Sequence, residues 1–192
     1  MKLQVIIGST RPGRVSDKVA KWVALEAKNL EDTQVEIVDL ADYVLPYLDE
    51  PISPQYNPER TPNEIASKLL TKFDEADAYV LVTPEYNRSY SAVLKNALDY
   101  VDHQFKDKPV ALVSHGTTGG AQAVSHLRGV ISGMNSITVP KAVFIVGQAG
   151  TLINDEGELN EDVKANPYGP QAALLATLES TKWYSDALSA AK

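Results

Sequence analysis

Residues Gly8-Ser9-Thr10-Arg11-Pro12-Gly13-Arg14-Val15-Ser16 place three hydroxyls, two glycines and two arginines within nine positions. At the start of a helix, such a stretch can hold an anion. The first N–H groups of a helix have no partner inside it, and the helix dipole favours negative charge there. Arginine adds a planar fork that matches phosphate oxygens. Gly8 and Gly13 have the spacing of a nucleotide-hydrolysing P-loop, yet Arg14 and Val15 stand where lysine and a hydroxyl residue belong. Without that hydroxyl a magnesium ligand is missing. The dinucleotide pattern G-x-G-x-x-G is absent too, because Thr10 occupies its second glycine position. A terminal monophosphate fits best. Taken alone, the stretch also reads as a plain turn with solvated arginines.

Two further segments carry unusual chemistry. Thr83-Pro84-Glu85-Tyr86-Asn87-Arg88-Ser89-Tyr90-Ser91 combines a rigid proline, an aromatic face, an amide and closely spaced backbone donors. A planar heteroaromatic ring with carbonyl and N–H edges needs that mixture. The alternative is an ordinary turn, with Ser89 or Ser91 capping the next helix. Ser114-His115-Gly116-Thr117-Thr118-Gly119-Gly120 is glycine-rich, so its backbone can adopt positive φ and approach a ligand closely. It reads equally as a strand-to-helix turn, with His115 incidental.

The elements that must position these segments follow from hydrophobic periodicity. Strands are expected at Leu3 to Ile7, Val35 to Leu40, Ala78 to Thr83, Pro109 to Ser114 and Ala142 to Val146. Helices are expected at Val15 to Lys28, Pro62 to Glu75, Ser91 to Asp102, Gly120 to Ile131 and Gln171 to Leu188. Thr61 is the expected N-cap of the second helix, with Pro62 in its first turn. In the third helix, Lys95 and Asp99 are spaced to pair, while Leu94 and Leu98 face the core. Residues 41–62 hold five of the eleven prolines together with Tyr43, Tyr47 and Tyr56. A long irregular excursion of this kind is usually functional or contacts a partner.

Alternating strands and helices argue for a parallel sheet covered on both faces. The expectation is one flavodoxin-like α/β domain over residues 1–192, with five strands in the order 2-1-3-4-5. Ligands of open α/β sheets lie beyond the strand carboxyl ends. All three segments fall there, giving one rim with a phosphate end and two walls for a flat ring, which FMN matches.

Composition narrows the function classes. The chain has 192 residues, a formal net charge of -7, 44% hydrophobic and 22% charged residues, as in a globular domain. Net acidity makes nucleic acid and anionic membrane poor partners. No apolar run approaches the roughly 20 residues that span a bilayer, and the apolar start of the chain reads as a strand rather than a secretory signal. With no cysteine, thiolate nucleophiles, thiol redox and cysteine metal sites are excluded. His103, His115 and His126 lack a zinc-motif spacing, so no metal site is expected. The cytoplasm is the expected location.

The chain resembles the NADPH-dependent FMN reductase family, flavodoxin-like enzymes that include yeast-type and bacterial quinone, chromate and azo-dye reductases. The resemblance runs from Leu3 to about Val146. It is carried by Gly8-Ser9-Thr10-Arg11, Pro84-Glu85-Tyr86-Asn87, Leu94-Lys95-Asn96-Ala97-Leu98-Asp99 and Gly116-Thr117-Thr118-Gly119-Gly120. It implies that Gly8, Ser9, Arg11, Arg14, Val15 and Ser16 form the FMN phosphate loop. Pro84, Glu85, Tyr86 and Asn87 would lie along the isoalloxazine, with Ser114, His115 and Gly116 closing its other edge. Family members commonly dimerise, so a homodimer, or a tetramer, is expected. Ser91 stands where proline is frequent, a change expected only to soften the following helix start.

The expected activity is FMN-dependent oxidoreduction, taking two electrons from NADPH or NADH and passing them by a ping-pong route to a small acceptor. Quinones, flavins, metal oxyanions and azo compounds all qualify. The flavin carries the chemistry, so no side chain is assigned as catalytic. Tyr86 or His115 is a candidate for proton delivery, and Arg88 for contact with a nicotinamide 2′-phosphate. The alternatives are a flavodoxin-type electron carrier and a flavin-dependent redox sensor using the 41–62 excursion. Against the carrier, phosphate loops of carriers are hydroxyl-rich without arginine.

Overall fold

The computed structural model describes residues 1–191. Strands β1 (Lys2–Ile7), β2 (Gln34–Asp39), β3 (Ala78–Pro84), β4 (Pro109–Gly116) and β5 (Ile137–Val146) form one parallel sheet in the order β2-β1-β3-β4-β5. That is the order expected from the alternation. Every residue of β3 is buried, as a central parallel strand covered on both faces must be.

Helices α1 (Ser16–Ala27), α2 (Glu64–Asp74), α3 (Ala92–Asp99), α4 (Ala121–Gly133), α5 (Ala149–Leu152), α6 (Glu161–Lys164) and α7 (Pro170–Ala190) complete the chain. One apolar layer packs Val19, Trp22 and Val23 of α1 and Leu174 and Leu178 of α7 on Leu3, Val5, Val80 and Val113. The other packs Leu69 and Phe73 of α2, Leu94 and Leu98 of α3, and Leu127 of α4 on Ile6, Leu81 and Leu112. Each such aliphatic or aromatic side chain contributes about 1.5–3 kcal/mol by leaving water. The indole N–H of Trp22 donates to Gln171 Oε1 at 2.9 Å, tying α1 to α7.

Several boundaries differ from the sequence expectation for identifiable reasons. Helix α2 starts at Glu64, because the Asn63 side chain, not Thr61, accepts the Ala66 N–H at 2.9 Å and caps it. Pro62 therefore lies outside the helix. Strand β5 begins five residues early, at Ile137, and tolerates Pro140 because it lies at the sheet edge. Its register on β4 shifts between Val110 and Leu112. Helices α5 and α6, four residues each, are too short for periodicity to reveal.

The 41–62 excursion is bolted down. Arg60, whose side chain is 4% exposed, donates from Nε and Nη2 to both carboxylate oxygens of Glu50, at 2.8 and 2.5 Å. Its Nη1 reaches Asp102 Oδ2 at 3.0 Å and Tyr100 O at 2.7 Å. The Asn96 amide donates to Pro46 O at 2.8 Å, so α3 holds the excursion as well.

Candidate functional site

The sheet register puts the relevant strand ends side by side. Ile7 at the end of β1 pairs with Asp39 of β2 and Val82 of β3, and Pro84 pairs with His115 of β4. The three distinctive segments leave the sheet from these ends and meet on one rim.

Gly8 opens the first segment and has to be glycine. Its N–H donates to Val82 O at 2.8 Å, and an added Cβ would lie 2.8 Å from that same oxygen. Ser9 is 1% exposed, yet among the described residues its N–H has no hydrogen-bond partner. The same is true of the first turn of α1. Val15 offers no side-chain cap, the first helical bond is Val19 N–H to Val15 O at 3.2 Å, and the N–H groups of Ser16, Asp17 and Lys18 have no acceptor among the described residues. Buried backbone donors are nearly always paired in proteins. An unpaired N–H at buried Ser9 beside an uncapped helix start is the signature of a site built for an anion, and it fits a phosphate.

The two arginines of this segment behave differently. Arg14 forms a bidentate pair with Asp39, with Nη1 to Oδ1 at 2.8 Å and Nη2 to Oδ2, and it also donates from Nη1 to Ser9 O at 2.5 Å. The bond to Asp39 pushes its pKa above the ordinary arginine value. Both of its Nη groups are thus directed to the protein. Arg11 is exposed and forms no ion pair among the described residues, its guanidinium lying 5.4 Å from the centroid of the Tyr86 ring. Arg11 is the free cation of the loop.

The second segment turns tightly. Asn87 and Arg88 both adopt positive φ, 48° and 68°, and Tyr86 and Ser89 bridge across the turn. Pro84 is buried at the end of β3. The Tyr86 hydroxyl lies 3.0 Å from Ser9 Oγ, so the second segment closes onto the first. Glu85 ties it to the third. Its N–H donates to His115 O at 2.9 Å, and its carboxylate accepts from Thr118 Oγ1 at 3.2 Å and from the Gln122 N–H at 2.9 Å. Gly120, the N-cap residue of α4, has no side chain to cap that helix, so Glu85 caps it across the rim. Asn87 is exposed, and its N–H is free among the described residues.

In the third segment Ser114 points inward, donating to Gly119 O at 2.7 Å and lying 3.3 Å from Val143 O. Gly116, Gly119 and Gly120 all adopt positive φ. An added Cβ at Gly120 would lie 2.5 Å from Ser114 Cβ. His115 is the last-but-one residue of β4 rather than a loop residue, and it is 7% exposed. Its Nε2 lies 2.8 Å from Ser16 Oγ, at the start of α1. Burial, aided by the positive charge of Arg11, lowers its pKa to about 4, so the imidazole is neutral at neutral pH. Thr117 and Thr118 are exposed on the rim.

Gly8, Ser9, Arg11, Arg14, Val15, Ser16, Pro84, Glu85, Tyr86, Asn87, His115 and Gly116 therefore lie on or directly beneath one rim, while the Ser114 hydroxyl serves the fold of the third segment. The proton-delivery candidates have their polar ends on the first segment, Tyr86 on Ser9 and His115 on Ser16. Arg88 is exposed at the tip of the turn.

Asp39 has no role in the sequence expectations, and Ser91 does more than they give it. Asp39 ends β2 and pairs with Ile7 of β1, so the strand order alone places an acid beside the loop that carries Arg14. Ser91 does cap α3, accepting the Leu94 N–H at 3.2 Å, but its hydroxyl also donates to Gly8 O. The expectation that serine there only softens the helix start is corrected, since the residue joins α3 to the first segment. The Lys95–Asp99 pair forms as expected, and Leu94 and Leu98 are buried. Among the described residues, no cluster of three or more His or acidic side chains is placed to hold a metal, and no helix is long and apolar enough to cross a membrane.

Comparison with known proteins gives a consistent picture. The family described as NADPH-dependent FMN reductase matches residues 1–151. An NAD(P)H-dependent FMN reductase of Schizosaccharomyces pombe is 34% identical over 172 residues, covering 85% of this chain and 86% of that one. An NADPH azoreductase from a Bacillus species is 36% identical over 169 residues, covering 85% of each chain. Among solved structures, the flavoenzyme NAD(P)H:(acceptor) oxidoreductase of Paracoccus denitrificans superposes with a TM-score of 0.73 at 22% identity, covering 95% of this chain and 98% of that one. That last likeness is one of fold, and the fold is flavodoxin-like.

Proposed function

The chain belongs to the NADPH-dependent FMN reductase family, and on that premise we propose that it is an FMN-dependent NAD(P)H oxidoreductase serving a small acceptor by a ping-pong route. The observation that carries the reading is the unpaired N–H of buried Ser9 beside the uncapped start of α1, with the unpaired Arg11 at its mouth. Together they form a monophosphate site on the rim where this fold binds ligands.

When bound, FMN supplies the two-electron chemistry that links a nicotinamide to an acceptor. The protein binds and orients. Ser9, Ser16 and the α1 N–H groups receive the phosphate, and Arg11 neutralises it. Pro84 to Asn87 form one wall for the flat ring, and Gly116 to Thr118 form the other. The free N–H of Asn87 is a donor available for negative charge at the ring edge. Neutral His115, held on Ser16, is a packing and hydrogen-bonding partner of the phosphate helix and not an acid at neutral pH.

The exposed Thr117 and Thr118 leave the rim open, which suits quinones, flavins, azo compounds and metal oxyanions as acceptors. A homodimer acting in the cytoplasm, with residues 1–192 as one unit, belongs to the same proposal. The test is the visible spectrum of the purified protein, followed through anaerobic addition of NADPH and then a quinone. Flavin bands bleached by NADPH and restored by the quinone are expected, with parallel double-reciprocal lines in the steady state. Bands that NADPH bleaches only very slowly would replace the enzyme with an electron carrier or sensor.

A further inference from the structure

Two consecutive carbonyl oxygens of loop 1, residues Gly8 to Ser16, are each held by a side chain. Gly8 O accepts from the Ser91 hydroxyl, and Ser9 O accepts from Arg14 Nη1 at 2.5 Å. Arg14 is itself fixed by the two-pronged pair with Asp39, and Asp39 Oδ1 accepts the Ala41 N–H at 2.9 Å. Ser91 is 3% exposed and is locked as the α3 cap. Both pins are therefore rigid.

A trans peptide is planar, and its N–H points opposite to its C=O. Pinning Gly8 O toward Ser91 on the α3 face turns the Ser9 N–H toward the opposite face of the sheet, where α1 packs. Pinning Ser9 O toward Arg14 turns the Thr10 N–H away from Arg14 and β2. Among the described residues neither N–H has a partner. Two consecutive carbonyls are thus held by the protein, while the N–H groups on the far sides of the same two peptides are left unpartnered.

We propose that Asp39, acting through Arg14, and Ser91 are positioning residues that orient the Ser9 and Thr10 N–H groups toward the ligand phosphate. Arg14 is then a strut of the loop, and Arg11 alone supplies the side-chain charge. A phosphate cradle set in advance gains affinity because no backbone ordering is needed on binding. The inference rests on loop 1 holding the phosphate of FMN, and the experiment below separates failure of that premise from failure of the proposal.

The flavin-free protein is titrated with FMN and with riboflavin, which has the same ring without the phosphate, following flavin fluorescence. The wild-type protein is expected to favour FMN. Ser91→Ala and Asp39→Asn should each weaken FMN by about 5- to 10-fold, one hydrogen bond's worth, and leave riboflavin unchanged. Ser91→Thr keeps the hydroxyl and should restore FMN affinity. Ser91→Pro suits the native φ of -67° but lacks the hydroxyl, and should behave like Ser91→Ala. The ³¹P signal of bound FMN should shift in the same variants. If Asp39→Asn fails to fold, the three Ser91 variants decide. Equal losses for both flavins, or no loss of FMN affinity, would overturn the positioning role. A wild-type protein that does not distinguish the two flavins would remove the phosphate site itself.

Discussion

Loop 1 and the 41–62 excursion both leave the carboxyl edge of the sheet, on neighbouring strands, and both depend on an arginine. In the excursion every donor group of the Arg60 guanidinium is spent on Glu50, Asp102 and Tyr100 O. In loop 1, both Nη groups of Arg14 are spent on Asp39 and Ser9 O, while Arg11 and the N–H groups of Ser9 and Thr10 are not. Saturated polar groups hold a loop in place; unsaturated ones next to a saturated scaffold mark where a ligand completes the structure. By that criterion the excursion, proline- and tyrosine-rich and attractive as a lid, is scaffold at its base. Among the large apolar side chains it presents to solvent are Val44, Tyr47, Ile52 and Tyr56, with Tyr47 and Tyr56 83% and 81% exposed.

The contrast breaks most sharply at Arg60. Arg60→Ala leaves two acidic groups beside a buried gap and should cost about 3–5 kcal/mol in denaturant unfolding, while the folded fraction keeps its FMN affinity. A large loss of affinity with unchanged stability would reverse the assignment of the two loops. His115 comes next. Its folded pKa of about 4 lies below the ordinary 6.5, so the unfolded chain takes up the proton first as pH falls. Stability should be full above pH 6.5 and decline toward pH 4, by up to about 3 kcal/mol from this group. His115→Asn should flatten that part of the stability profile, and an unchanged slope would assign it to other groups. Arg11→Ala should leave the unfolding midpoint unmoved and weaken FMN about tenfold, with riboflavin unaffected; equal weakening of riboflavin would place Arg11 on the ring instead. The smallest effect is expected at Glu85. Glu85→Ala removes the cap of α4 and should cost about 1 kcal/mol, read as a lower melting temperature.

Much of the fold was legible because its signals are local or depend on order alone. Apolar β-branched runs such as Val80 to Val82 mark buried strands, and their alternation with helices leaves few topologies. The site was legible as three loops because the carboxyl-edge rule turns strand order into an address. The N-cap of α2 is not legible in the sequence, because Thr61 and Asn63 have nearly equal capping chemistry and only the backbone decides which one reaches a free N–H. Strand β5 runs five residues ahead of the apolar stretch that marks it, through Pro140, which a strand accommodates at a sheet edge, and edge position is a property of the whole sheet.

The same division runs through the site. By itself the sequence determined that a glycine- and arginine-bearing loop follows the first strand, that no thiol chemistry is open to the protein, and that a monophosphate and a flat ring suit the rim. Tertiary structure decided which arginine stays free, because Asp39 arrives from a strand 25 residues away and claims Arg14. It also decided that Ser91 pins Gly8 across 83 residues, and that buried His115 is neutral against Ser16 across 99. Hydrogen bonding and desolvation depend on distances of a few ångströms, and between residues so far apart in the chain only packing sets those distances.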